Sequence, residues 1–404
     1  MTSIFQSAFH DGFGTWPLAY IPYGGADFGE VESVARRVGD GDDSAFYEAW
    51  VESAQRFESD ADTALARGKR TSARELYLRA SCFYSAAYHP LFGEPVDPRL
   101  LDAFRRQIAA FDNAMRLGEP AVEAVRIPFE HASLPAYVIP AEGRAGERRP
   151  LLILTNGYDA TITDLYFFSA VAASRRGYHV LIFDGPGQGE MLYEHGVRLR
   201  PDWETVINAV VNFALTLDQV DPARIALYGC SLGGYLAPRA ASGEPRLAAC
   251  IADPGQWSIA TGFRSAAIKL GAKPEDVRDL GKIDDALLDR MWQLIKSDRK
   301  LYWTVVQRGF WVNGAANLRE YLASVETFTM AGRAELIRCP TLLAGAEDDP
   351  LGADIDSFFE ALRCPKQIVR FTAAEGAGDH CEMRNRSLLN RRVLDWLGEV
   401  WDLR

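Results

Sequence analysis

Residues 226–240 read ALYGCSLGGYLAPRA, an apolar run closed by glycine, then a cysteine–serine pair and two glycines ahead of a helix-forming stretch. Gly229, Cys230, Ser231, Leu232 and Gly233 fit the pattern G-x-S-x-G. In that pattern a serine sits on a strained turn between strand and helix, and the glycines let the two elements approach without side-chain clashes. The pattern therefore assigns a nucleophile to Ser231. Cys230 takes the first variable slot, where its side chain turns away from the pocket and packs as a small apolar group.

A serine hydroxyl attacks a carbonyl only with help from a base, usually an imidazole oriented by a carboxylate. The chain holds six histidines. His10 and His89 fall in helical sequence near the N-terminus, His131 in an early turn, His179 at a strand start and His195 in a loop. His380, in EGAGDHCEM (375–383), follows the last predicted strand on a glycine-bearing loop able to reach the carboxyl edge of a sheet, and it is the expected general base. The preceding strand ends in TLLAGAEDDPL (341–351), which supplies Glu347, Asp348 and Asp349. Asp348, three residues past Gly345, is the expected acid, with Asp349 as the alternative. Asp379 reads as a loop carboxylate. Donors for a developing oxyanion are expected from the amide of Leu232 and from that of Tyr158, in the loop after PLLILTN (150–156).

Around these residues the chain alternates apolar runs with helical stretches: PLLILTN, YHVLIFDG, RIALYG and LAACIAD are separated by helix-length segments. Such alternation predicts an α/β fold whose parallel strands are buried on both faces. Two shorter strands, AVEAVRIPF and LPAYVIPA, are expected as a hairpin turning near His131. Residues 1–120 carry apolar residues at spacings of three and four, with Gly68 between two helices and Asp97–Pro98 opening a third. They are expected to form a helical N-terminal domain. The core is then expected over 121–255 and 336–404, split by a helical cap at 256–335. The cap aromatics Trp257, Phe263, Trp292, Tyr302, Trp303, Phe310 and Trp311 are candidates for lining a pocket, against the commoner role of aromatics as core.

Of the 404 residues 48% are hydrophobic and 25% charged, with 44 Lys and Arg against 55 Asp and Glu for a net charge of −11. No basic stretch interleaved with aromatics points to nucleic acid, and no run of about 20 apolar residues points to a membrane span. The six cysteines form no C-x-x-C pair, so reduced thiols are expected rather than disulfides or zinc ligands, and no metal site is expected. The N-terminal residues lack the pattern of a secretory signal, and a cytoplasmic location is expected.

Four motifs, NGYDATITDLYF (156–167), FDGPGQGE (183–190), YGCSLGGYLAPRAA (228–241) and EGAGDHCEM, together with the helical SARELYLRASCFYSAAY (72–88), carry a resemblance. The chain resembles the α/β-hydrolases, and among them the 2,6-dihydroxypseudooxynicotine hydrolase family and its relatives, the fungal hydrolases that shorten polyketide pigment precursors. The likeness runs over nearly the whole chain, with Asn156 where relatives often carry glycine. It implies the α/β-hydrolase fold, a mostly parallel sheet with helices on both faces, and a homodimeric, cofactor-free serine hydrolase whose helical domain closes over the active site. Members cleave esters or carbon–carbon bonds next to ketones, so a small aryl or polyketide-like substrate is expected. Carried over by motif, Ser231 matches the nucleophile, Asp348 the acid, His380 the base, and Tyr158 and Leu232 the oxyanion donors. Two other readings stand beside this one. Peptidases and amidases share the serine turn but tend to carry a β-propeller in place of N-terminal helices. Hydrolase-fold binding proteins usually lose a member of the serine–acid–histidine set, whereas all three residue types are present here in order.

Overall fold

The structure, a computed structural model, describes residues 3–402. Eight strands form one sheet: β1 (Ala124–Phe129), β2 (Ala132–Ile139), β3 (Arg149–Thr155), β4 (His179–Phe183), β5 (Val220–Cys230), β6 (Ala249–Asp253), β7 (Thr341–Ala346) and β8 (Lys366–Phe371). Their spatial order is β1-β2-β4-β3-β5-β6-β7-β8. β2 runs antiparallel to β1 and β4, and every other pairing is parallel. Every residue of β4 and β6 is buried, as is β3 from Pro150 onward. That is the condition of parallel strands covered on both faces, and it explains why their sequences are unbroken apolar runs. From β3 the chain crosses to β4 on one side and later to β5 on the other, so the reversal of winding opens a crevice at the carboxyl ends of these strands.

Ahead of the sheet lie three long helices, α1 (Asp43–Ala66), α2 (Arg70–Ala87) and α3 (Pro98–Arg116). Asp97 caps α3 by accepting from the Arg99 amide, with Pro98 at the first helical position, where its missing N–H costs nothing. Gly68 turns the chain between α1 and α2 at φ +71°. These helices share one continuous apolar core with the sheet. A buried polar layer fixes their register: Tyr88 donates to Gln107 at 2.7 Å, and Gln107 donates to the hydroxyls of Thr161 and Thr163 at 2.7 and 2.6 Å. Ser85 donates to Asp164 at 3.1 Å. The N-terminal helices are thereby keyed to the segment that follows β3.

Helix α4 (Gly233–Ala241) starts directly after the serine turn. Beyond β6 the chain leaves the sheet and builds a second apolar core of its own, centred on α5 (Ala260–Lys269), α6 (Asp285–Ser297) and α7 (Leu318–Glu326). The root of this cap is pinned where Ser258 pairs antiparallel with Thr329. Its aromatics are mostly packing. Phe263 and Phe310 lie against Tyr321, Trp292 stacks on Phe310, and Trp303 and Trp311 pack on Phe92 from the N-terminal part. Helix α8 (Arg386–Val400) closes the chain. Among the described residues no helix is long and apolar enough to cross a membrane, and all six cysteines are free thiols.

Asp184, at the end of β4 in the FDGPGQGE motif, is fully buried. Burial pushes its carboxyl up to about 8, only partly offset by the amides of Glu190 and Ile162. A carboxyl raised on folding favours the native state below its unfolded value and costs stability as pH rises towards the folded value. The isosteric Asp184→Asn variant should therefore gain melting temperature relative to wild type between about pH 4 and pH 8, with the difference flat above that. A pH series of thermal melts checks this, and a difference independent of pH would refute it.

Candidate active site

Ser231 ends the β5 turn at φ +60°, a left-handed conformation that a non-glycine residue holds only when its surroundings enforce it. The enforcing contacts are backbone ones: the Ser231 amide donates to the Asp253 carbonyl at 2.7 Å, and the Gly234 amide donates to the Ser231 carbonyl at 2.8 Å. Gly229 is required by proximity, because a Cβ there would lie 1.8 Å from the Gly233 carbonyl oxygen. Cys230 is buried, and burial pushes its thiol up to about 12, which leaves it protonated and inert at neutral pH.

The structure brings His380 to Ser231. Its Nε2 lies 3.0 Å from the Ser231 Oγ, and its Nδ1 lies 2.7 Å from an Asp349 carboxylate oxygen. An ionised carboxylate only accepts, so Nδ1 carries the proton and Nε2 is left to accept from the serine hydroxyl. Here the expectation of Asp348 is corrected. Asp349, with its side chain 1% exposed, turns inward, whereas Asp348 is exposed and contributes its backbone amide to the Gly378 carbonyl at 2.8 Å. Burial alone would depress the His380 imidazole, but the hydrogen bond and charge of Asp349, helped by Asp253 and Asp159, outweigh it and hold the group above its ordinary value.

Behind the histidine, Cys381 and Glu382 both take left-handed backbone at φ +54° and +48°. The wholly buried Arg386 ties this kink down, donating to the Cys381 carbonyl at 2.6 Å and to the Asp253 carboxylate at 3.2 Å. Burial and the neighbouring Asp253 push the Glu382 carboxyl well above the usual range, which favours its neutral form. Asp253 thus meets the serine turn through its carbonyl and the histidine loop through its side chain.

On the other side of Ser231 runs the loop after β3. Thr155 pairs in register with Gly229, so Asn156, Gly157 and Tyr158 leave the sheet alongside the serine turn. A Cβ on Gly157 would lie 2.7 Å from the Leu232 amide nitrogen and 3.0 Å from the Ser231 Oγ, so glycine keeps open the space those two groups share. Gln188 sets the loop's orientation: its side-chain amide donates to the carbonyls of Asn156 and Gly157 at 2.8 and 3.2 Å. Across a trans peptide the C=O and N–H point oppositely. With the Gly157 carbonyl turned to Gln188, the Tyr158 amide faces the other way. Among the described residues neither the Tyr158 nor the Leu232 amide donates to a backbone carbonyl. Gln188 and Asp253 were not singled out by spacing. The FDGPGQGE motif holds Gln188, but nothing local says which carbonyls it reaches. Among the described residues no cluster of His, Cys, Asp or Glu is arranged to hold a metal ion.

A doubly covered parallel sheet with a strained serine turn at its carboxyl edge defines a hydrolase of the α/β type. The chain belongs to the alpha/beta hydrolase family, whose model matches residues 151–387. It is similar to the hydrolase acrC of Aspergillus aculeatus, 33% identical over 416 residues that cover 96% of this chain and 95% of the relative. It is also similar to the 20-hydroxy-prefusarin hydrolase FUS2 of Gibberella moniliformis, 31% identical over 421 residues that cover 100% and 99%. Among solved structures, 2,6-dihydroxy-pseudo-oxynicotine hydrolase shares the fold with a TM-score of 0.72 at 23% identity, covering 95% of each chain. AbyA5 shares it with a TM-score of 0.66 at 18% identity, covering 97% of this chain and 94% of that one.

Three outcomes follow from this geometry. Asp349→Ala should lower kcat by about three to four powers of ten, and Asp348→Ala by less than about threefold. Asp349→Asn should also move the acid limb of the kcat/KM profile to lower pH, because it removes the hydrogen-bonded charge that raises His380. Steady-state kinetics on an aryl ester across pH 5–9 checks both, and equal losses in the two alanine variants would reverse the assignment. Gln188→Leu should lower kcat by about ten- to a hundredfold with KM little changed, the signature of a misaimed oxyanion donor.

Proposed function

We propose that the protein is a serine hydrolase that cleaves an ester, or a carbon–carbon bond adjacent to a ketone, in a small aryl or polyketide-like molecule. The observation that carries this reading is the continuous hydrogen-bonded series from Ser231 through His380 to Asp349, with spacings of 3.0 and 2.7 Å. In this mechanism His380 Nε2 takes the Ser231 proton as Oγ adds to the substrate carbonyl, and Asp349 stabilises the resulting imidazolium. The tetrahedral oxyanion rests on the amides of Leu232 and Tyr158, in the space Gly157 leaves open. Collapse transfers the His380 proton to the leaving group and leaves an acyl-enzyme on Ser231. An ester expels an alcohol, and a 1,3-diketone expels a carbon that leaves as an enol. Water, activated by the same imidazole, then releases the acid and restores the serine. Similarity along the full chain to fungal hydrolases, one of them named for 20-hydroxy-prefusarin, supports a polyketide-like substrate. Free cysteines throughout the described chain support residence in a reducing compartment such as the cytoplasm.

Fluorophosphonate should label the protein once, with peptide mass spectrometry placing the adduct on Ser231. Ser231→Ala should lose labelling and lower kcat/KM on aryl esters by about four powers of ten or more. A folded Ser231→Ala variant with wild-type turnover would exclude this mechanism. Product analysis on aryl esters and 1,3-diketones separates the two bond classes.

A further inference from the structure

One side chain in contact with the reacting groups has no part in the mechanism above: the thiol of Cys381, next in sequence to His380 and buried. Its sulfur lies 3.4 Å from His380 Nε2 and 3.9 Å from Nδ1. Those distances fix where it sits. A partner on the in-plane lone pair of Nε2 lies on the far side of that atom from Nδ1, and so much farther from Nδ1 than from Nε2. The other in-plane position, beside Cε1, would press the sulfur into that carbon. A sulfur this close to both nitrogens therefore lies against the face of the ring. The in-plane lone pair of Nε2 is left to the Ser231 hydroxyl, 3.0 Å away.

The thiol is held there from behind. Its proton goes to the Asp253 carbonyl, 3.7 Å from the sulfur. That carbonyl also accepts the Ser231 amide at 2.7 Å, and its oxygen has a lone pair for each. One backbone oxygen thus ties the turn that carries Ser231 to the sulfur that backs the imidazole. The Cys381 carbonyl accepts in turn from Arg386 at 2.6 Å. Cys381 holds φ +54°, a conformation that a non-glycine residue keeps only where its surroundings enforce it. Glycine would take this backbone without strain, but it would leave the ring face uncovered. Asp349 fixes the ring at Nδ1 alone, and a single hydrogen bond tolerates tilt that swings Nε2 off the serine oxygen. A sulfur against the face blocks that tilt on one side.

We propose that Cys381 is a positioning residue for the reaction at Ser231: its sulfur, tied to the Asp253 carbonyl, backs the His380 imidazole and keeps Nε2 aimed at the serine oxygen. This rests on the reading of Ser231 as nucleophile and His380 as base. The thiol itself stays protonated and does not react, because burial, with the neighbouring carboxylates of Asp253 and Asp349, pushes it well above its ordinary value.

The test uses the full-length protein, an aryl ester and a fluorophosphonate, whose labelling rate reads the activation of Ser231 and whose end point counts competent molecules. Cys381→Ala should lower kcat and the labelling rate together, by about tenfold or more, with KM within about twofold of wild type and labelling still running to completion. Cys381→Ser keeps a donor for the Asp253 carbonyl and an atom against the ring, and it should stay within about threefold of wild type. Where the alanine variant does not fold, Cys381→Gly decides with the same expected losses, because glycine accepts φ +54° freely. Wild-type kcat and labelling rate in the folded alanine or glycine variant overturn the proposal, as does a serine variant as slow as that one. A fall in kcat with the labelling rate unchanged also overturns it. So does a fall matched by incomplete labelling, which marks a cysteine needed only for folding. Labelling of the wild type separates the two levels: labelled Ser231 with an unaffected alanine variant defeats the role of Cys381 alone, and wild-type Ser231 left unlabelled defeats both readings.

Discussion

Arg386 and Asp253 meet at 3.2 Å with their side chains 0% and 1% exposed, and the arrangement around Ser231 depends on that contact. Burying two charges is costly, and the cost is offset in large part because Arg386 also reaches the carbonyls of Cys381 and Phe168 and the hydroxyl of Ser169, while its buried Nε has no partner among the described residues. Losing one member of such a pair strands the other, at about 3–5 kcal/mol. The pair does more than hold the core. Asp253 ends β6, beside β5, and its carbonyl receives the Ser231 amide, while Arg386 opens α8 and grips the backbone just past His380. Two strained turns, each unfavourable alone, are thereby locked to one buried charge pair.

The loop after β3 is governed from three directions. Gln188, just past β4, turns its carbonyls away from Ser231. The N-terminal helices reach the same segment through Gln107 and Ser85, at Thr161, Thr163 and Asp164. The cap reaches it through Arg308, and also through Asn313, which donates to the Tyr158 hydroxyl at 3.2 Å. A shift in either helical region is therefore felt within a few residues of the amide proposed to stabilise the oxyanion. The helices added to the common sheet are in this sense part of the reacting geometry, and not only a cover over it.

Much of this was legible from local pattern. Strands buried on both faces must be apolar throughout, so β3, β4, β6 and the second half of β5 stood out as runs. The serine turn was legible because close backbone approach excludes every residue but glycine at positions such as 229. His380 followed from its place after the last strand. The choice between Asp348 and Asp349 was different in kind. Glu347 and Asp348 lie in a turn past the end of β7, and spacing along the chain does not say which of two adjacent carboxylates such a turn aims inward.

By itself the sequence determined which backbone could form and which residue types were on offer: the alternation of strand and helix, a serine held on a glycine-flanked turn, a histidine on a late loop and a pair of adjacent carboxylates. Periodicity and glycine placement are local constraints, and local constraints survive in a linear text. Only the tertiary structure decided that Asp349 meets the imidazole, that Gln188 orients the loop after β3, and that Arg308 of the cap pairs with Asp159. Each of those depends on distances between segments tens to hundreds of residues apart, which packing sets and spacing along the chain does not.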